Sequence, residues 1–140
     1  MFLLDTSVIS ELRRPEKADS NVLAWASSTP AARFFLSAIS ILELELSTLQ
    51  AARSDAARGA ILRKWIDDQV LPRFDGRILA VDSAVAQQCV RLHVRDQRLE
   101  RDALIAATAM VHGLTVVTRN VADFESIPVV LLNPWKPLAN

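Results

Sequence analysis

Four acidic residues of this sequence could do chemistry together: Asp5, Glu43, Asp102 and Asp123. Asp5 and Asp123 follow short apolar runs, Glu43 lies early in a helical pattern, and Asp102 opens an apolar helical segment. Carboxylates about 4 Å apart repel by roughly 1 kcal/mol in water and about 4 kcal/mol at an effective dielectric near 20. If the four converge, they must bind protons or a hard cation such as Mg²⁺ or Mn²⁺. Such an ion supports phosphodiester hydrolysis.

Each acid also has a structural alternative. The three aspartates could be helix caps, and Glu43 could be a solvated helical glutamate. For Glu43 that alternative is weaker, because Ile39 at i−4 and Leu46 at i+3 place it beside an apolar stripe. Glu45 is the better candidate for a solvated side chain. Spacing alone does not establish that the acids converge.

Short apolar runs alternate with helical patterns along the chain. Strands are predicted at residues 2–4, 34–36, 78–81, 115–118 and 129–132. Helices are predicted at residues 8–13, 22–27, 39–53, 56–71, 84–97 and 102–112. Runs that are apolar on both faces indicate a parallel sheet covered by helices, hence a three-layer α/β/α sandwich. Ligands of such folds collect at the carboxyl ends of the strands, where the acids fall.

Composition predicts one domain spanning residues 1–140. The chain is 51% hydrophobic, and its 16 basic and 16 acidic side chains cancel, so binding of a nucleic acid would need a local basic patch. No apolar run approaches the roughly 18 to 20 residues of a membrane span, and we expect a soluble, cytoplasmic protein. Cys89 is expected on the apolar face of a helix, and His93 and His112 lack the spacing of zinc ligands.

Five segments, in order and over nearly the full length, resemble the PIN-domain family and, within it, the VapC and FitB-like toxins of bacterial toxin–antitoxin pairs. The segments are LLDTSVISELRRP, LSAISILELE, RILAVDSAVA, RDALIAATAMVHGLTVVTRNVADF and LLNPW. The resemblance implies an Mg²⁺- or Mn²⁺-dependent endoribonuclease. Its catalytic, metal-binding acids match Asp5, Glu43, Asp102 and Asp123, the last as a weaker or second-metal contributor.

The resemblance also implies supporting residues and partners. Thr6, Thr118 and Asn120 match positions that orient acids or water, although local capping and turn formation would also explain them. The partners implied are RNA, a second copy in a homodimer, and a cognate VapB- or FitA-like antitoxin whose C-terminal segment covers the acids. Basic residues that could contact RNA phosphates are Arg13, Arg14, Arg101 and Arg119.

The sequence departs from the family pattern at Ser7, where asparagine is frequent, and at Glu45 and Ser47, where a basic residue and a glycine are frequent. Ser7 could alter a hydrogen bond to a ligand but removes no metal ligand. Glu45 and Ser47 put substrate preference in doubt, not the chemistry. A haloacid-type phosphatase, one alternative, would need an aspartate where Ser7 stands. A degenerate PIN domain that binds RNA or protein without cutting is the other alternative, and it would be favoured if one of the four acids were missing. None is missing, so activity is expected.

Overall fold

A computed structural model describes residues 1–92 and 100–137 of the chain. Its core is a five-stranded, all-parallel sheet with the order β3-β2-β1-β4-β5. The strands are β1 Phe2–Leu4, β2 Phe34–Ser37, β3 Ile78–Leu79, β4 Thr115–Val117 and β5 Leu131–Leu132. The predicted α/β class with a central parallel sheet is therefore confirmed.

Seven α-helices and three short 3-10 turns connect the strands in the described part of the chain. The helices are α1 Thr6–Leu12, α2 Ser20–Ser27, α3 Ala38–Ser54, α4 Ala56–Trp65, α5 Leu71–Arg73, α6 Ser83–Arg91 and α7 Glu100–His112. The 3-10 turns are Pro15–Lys17, Ala31–Arg33 and Val121–Phe124. Among the described residues, no helix is long and apolar enough to cross a membrane.

Side-chain oxygens cap the starts of several helices. The N-caps that accept hydrogen bonds from backbone N–H groups of the first turn include Asp5, Asp19, Ser37, Asp55 and Asp82. Such bonds satisfy donors that have no partner within the helix. The polar capping residues between the apolar runs thus set where these helices begin.

The helix predicted over residues 56–71 is interrupted. α4 passes into a π-helical segment, Ile66–Val70, in which the backbone N–H of Leu71 donates to the carbonyl of Ile66, five residues back. Pro72, which lacks an N–H, then lies inside α5. The helix predicted over 84–97 is α6 up to Arg91, and residues 93–99 lie outside the described residues.

Both faces of the sheet are buried, which explains why the strands are apolar without alternation. Leu4 and Val117 point into a core cluster shared with α1 and α2, while Leu3 and Val116 point into a second cluster shared with α7. These four residues are at most 2% exposed. The apolar segment of α7 is buried at Ala103, Ile105, Ala106, Ala107, Thr108 and Ala109. The sandwich therefore holds the head of α7 in a fixed place.

The hairpin of α3 and α4 depends on a close approach at Gly59. A Cβ atom added there would lie 2.5 Å from the Cβ and 2.7 Å from the Cα of Ala52.

We predict that Gly59→Ala lowers the free energy of unfolding by about 1 to 3 kcal/mol through overpacking, although alanine is the better helix former by about 1 kcal/mol. Urea denaturation measures the change. Ala60→Gly, at an exposed neighbour, should lose only the helix preference, and a Gly59→Ala protein more stable than the native one would contradict the packing argument.

Candidate active site

Asp5 lies at the carboxyl end of β1 and is 6% exposed. Its Oδ1 accepts a hydrogen bond from the backbone N–H of Thr6 (2.9 Å). Its Oδ2 accepts bonds from the hydroxyls of Ser7 (3.2 Å) and Thr118 (2.8 Å). Asp5 is therefore the cap of α1, as its structural alternative proposed, but a cap does not need the bond from Thr118 across the sheet. The carboxylate is held in one orientation by groups from two chain segments.

Glu43 is brought to the same place by α3. Its side chain is 23% exposed, and its Oε1 accepts a hydrogen bond from the hydroxyl of Thr6 (2.8 Å). Thr6 therefore contacts two acids, Asp5 through its backbone N–H and Glu43 through its side chain. The Oε2 of Glu43 lies 3.7 Å from Nη1 of Arg101, which is 47% exposed. This contact joins α3 to α7 beside the acids.

Asp102, the third residue of α7, is half-buried. Burial, followed by the negative charges of Asp5, Asp123 and Glu43 in that order, raises the pKa of its carboxyl to about 6, against an opposing effect of Arg101. Charges act on one another over short distances in a protein. The three other acids are thus all close enough to destabilise a negative charge on Asp102.

Asp123 reaches the group from the other side of β1, in the 3-10 turn that follows β4. The side chain is exposed, and its backbone N–H donates to the carbonyl of Asn120 (3.0 Å). The backbone N–H of Asn120 in turn donates to the hydroxyl of Thr118 (3.0 Å). Thr118 therefore links the turn that carries Asp123 to the carboxylate of Asp5. Asp123 lies inside the turn, whose N-cap is Asn120.

The chemistry of these donors fits a hard divalent cation. All four are carboxylates, and beyond the effect of burial the charges of the other three acids raise the pKa of Asp102 more than Arg101 lowers it. Within residues 1–92 and 100–137, however, no three His, Cys, Asp or Glu side chains are arranged to ligate one ion. The two observations differ because coordination needs atomic contact whereas charge acts at longer range. Repelling carboxylates need not point at a common centre until a cation joins them, so the charge at this edge of the sheet still fits a divalent ion.

The basic residues singled out in the sequence divide into two groups. Arg101 and Arg119 lie beside the acids, Arg101 next to Asp102 and Arg119 next to Thr118. Arg13 and Arg14 lie past the far end of α1, roughly 12 Å along the helix axis from its start at 1.5 Å per residue. Burial and the neighbouring Arg14 lower the pKa of Arg13. The structure does not bring this pair to the acids.

Other side chains differ from expectation or were missed. Glu45, expected to be solvated, is 38% exposed and pairs with Arg63 of α4, whose hydrogen bond lowers the pKa of the Glu45 carboxyl. Cys89 is half-buried and not in the core. Ser7, which the sequence marks only as a departure from the family pattern, donates a hydrogen bond to the carboxylate of Asp5. The sequence signal for this contact is the position of Ser7, two residues after Asp5.

Comparison with known proteins decides the family. The family profile described as PIN domain matches residues 2–129. This chain belongs to the PIN domain family. It is 35% identical over 142 residues to the VapC ribonuclease Y4jK of Sinorhizobium fredii, covering 98% of this chain and 99% of that protein. It is 38% identical over 140 residues to toxin FitB of Neisseria gonorrhoeae, covering 96% and 99%. The crystal structure of FitAcB from Neisseria gonorrhoeae superimposes with a TM-score of 0.85 at 36% identity, covering 96% of this chain and 99% of that one.

The ionised carboxylate of Asp102 should lower the stability of this PIN domain at neutral pH when no cation is present, because burial and the neighbouring acids disfavour its negative charge. Asp102 has a pKa of about 6 in the folded chain and about 3.9 when unfolded. Between these values the folded chain binds more protons, so its stability falls as the pH rises through 6. We predict that Asp102→Asn makes the metal-free protein about 1 to 2 kcal/mol more stable than the native protein at pH 7.5, after allowance for solvent screening.

Urea denaturation in chelator, at pH 7.5 and near pH 4, measures this difference. The two proteins should converge at the lower pH, because the native Asp102 is then largely protonated. Asp68→Asn removes an exposed carboxylate of the π-helical segment and serves as the matched control. An Asp102→Asn protein that is less stable than the native one at pH 7.5 would contradict a pKa of Asp102 raised by burial and by the neighbouring acids.

Proposed function

We propose that this PIN domain is the toxin of a VapBC-type toxin–antitoxin pair and hydrolyses RNA phosphodiester bonds with Mg²⁺ or Mn²⁺. The observation that carries the proposal is the gathering of four acids from four segments of the chain. Thr6 binds both Asp5 and Glu43, and the charges of these two acids act with that of Asp123 on Asp102. The similarity to a VapC ribonuclease and to a toxin supports RNA as the substrate.

Asp5, Glu43 and Asp102 would hold the ion, with Asp123 contributing from its exposed turn. When bound, the ion supplies positive charge that holds a phosphate, lowers the pKa of an attacking water and stabilises the departing oxygen. These carboxylates offer only oxygen donors, which favours Mg²⁺ or Mn²⁺ over zinc.

Hydroxyl groups orient the acids. Thr118 and Ser7 both donate to Oδ2 of Asp5, so rotation of this carboxylate would break two hydrogen bonds. Thr6 orients Glu43 in the same way through Oε1. Residues that fix ligands affect metal affinity or activity by about 10- to 100-fold. The supporting roles proposed for Thr6 and Thr118 rest on these bonds, and the role proposed for Asn120 rests on its backbone N–H to Thr118.

The substrate strand would meet positive charge at the rim of the site. Arg101 is exposed beside Asp102, and Arg119 is exposed one residue after Thr118. Because the net charge of the chain is zero, such local cations must supply the attraction to phosphate. Arg13 and Arg14 would contact RNA only where it extends beyond the acids.

The proposed partners follow from the same site. A cognate antitoxin that presents a guanidinium or ammonium group to the acids would replace the positive charge of the ion and block cleavage.

The homodimer stays a prediction, which light scattering of the isolated chain tests. A cytoplasmic location, where an RNA substrate is available, also stays a prediction. A PIN domain that only binds RNA or protein is the alternative function, and the presence of all four acids argues for cleavage.

Cleavage of total cellular RNA by the purified chain, freed of antitoxin, tests the proposed activity. Discrete fragments should appear with Mg²⁺ or Mn²⁺, disappear with chelator, and decrease at least about 100-fold in Asp5→Asn protein. Asp68→Asn, which removes a carboxylate away from the site, should cut like the native chain. Equal cleavage by the native and Asp5→Asn proteins would reject the catalytic assignment and leave binding as the function.

A further inference from the structure

The segment after β5 brings Trp135 against Arg119. The guanidinium carbon of Arg119 lies 5.4 Å from the centre of the Trp135 ring. Val117 of β4 pairs with Leu132 of β5, and the backbone N–H of Thr118 donates to the carbonyl of Leu132 (3.0 Å). The two chain segments therefore leave the sheet side by side, at the carboxyl edge where the acids lie.

Trp135 is held from three directions. Its backbone carbonyl accepts a hydrogen bond from the side-chain amide of Asn21 on α2 (2.9 Å), and its backbone N–H donates to Oδ1 of Asn133 (3.0 Å). The half-buried side chain packs against the core cluster that contains Leu4 and Trp25. The indole is thus a fixed surface on which the exposed side chain of Arg119 rests.

Arg119 is exposed and starts one residue after the hydroxyl that binds Asp5. None of the four acids of the site lies within ion-pair distance of it, whereas Arg101 pairs with Glu43. A guanidinium stacked on an indole keeps its planar set of N–H donors available for a phosphate. The position, beside the acids but not among them, suits a phosphate next to the one that is cut.

We propose that Arg119, positioned by Trp135, binds the RNA phosphate that flanks the scissile phosphate. This inference rests on the proposed ribonuclease function, and it assigns Trp135 as a positioning residue in the closing LLNPW segment. Lysine at position 119 would keep the charge but lose the stacked, forked geometry. A shortened or aliphatic side chain at position 135 would keep the charge of Arg119 but remove the ring on which its guanidinium rests.

Binding of a labelled oligouridylate, measured over a range of salt concentrations with chelator so that no cleavage occurs, tests the proposal. Arg119→Ala should weaken binding about 3- to 10-fold and lower the slope of log affinity against log salt by about 0.7 to 1. Arg119→Lys should keep the slope but bind less tightly than the native chain, and Trp135→Leu should weaken binding while keeping most of the slope. Arg33→Ala, an exposed arginine at the opposite edge of the sheet, is the matched control.

Cleavage of a dinucleotide, which has one phosphodiester bond and no flanking phosphate, separates this inference from the proposed function. Arg119→Ala should lower kcat/KM for the longer oligomer several-fold more than for the dinucleotide. If Arg119→Ala matches Arg33→Ala in salt slope and on both substrates, the subsite is rejected while the proposed nuclease function stands. The same result is expected if Arg119 contacts only a protein partner. If the native chain neither binds nor cuts RNA, the proposed function and the subsite fail together.

Discussion

Repulsion between carboxylates at the carboxyl edge of the sheet is the constraint on which the rest of the site depends. Burial, and after it the negative charges of the three other acids, raises the pKa of Asp102 to about 6. An arrangement of this kind persists only if other parts of the fold hold each acid in place. Three hydrogen bonds hold Asp5, the hydroxyl of Thr6 holds Glu43, and the buried helix α7 carries Asp102.

The surrounding packing provides that support. The pairing of β1 with β4 continues past the strands, since the backbone N–H of Asp5 donates to the carbonyl of Val117 (2.9 Å). This bond sets the start of α1 beside the turn that carries Asp123, and Thr118 then completes the connection. At the same edge, the side-chain amide of Asn21 donates to the carbonyl of Trp135, so the packed core also positions Trp135 beside the acids. The repulsion within a functional site lowers the stability of the protein, and favourable packing elsewhere in the fold commonly offsets it.

Much of this could be predicted from the sequence, because it depends on local patterns. Apolar runs gave the five strands, and an acid directly after the first run marked Asp5. What could not be predicted are contacts between distant segments, such as Thr6 with Glu43 and Arg119 with Trp135, since these depend on strand order and register. The π-helical segment Ile66–Val70 was also missed, because its apolar residues fit an ordinary helical period.

Binding of Mn²⁺ to the isolated chain, followed by electron paramagnetic resonance or calorimetry, tests the central claim most directly. The account predicts that the native protein binds Mn²⁺ and that Asp5→Asn and Asp102→Asn each weaken binding at least about tenfold, whereas Asp68→Asn does not. Binding near pH 6 should also release protons, since Asp102 must ionise to take up the ion. Equal affinity in the native, Asp5→Asn and Asp102→Asn proteins would contradict a carboxylate metal centre at this edge of the sheet.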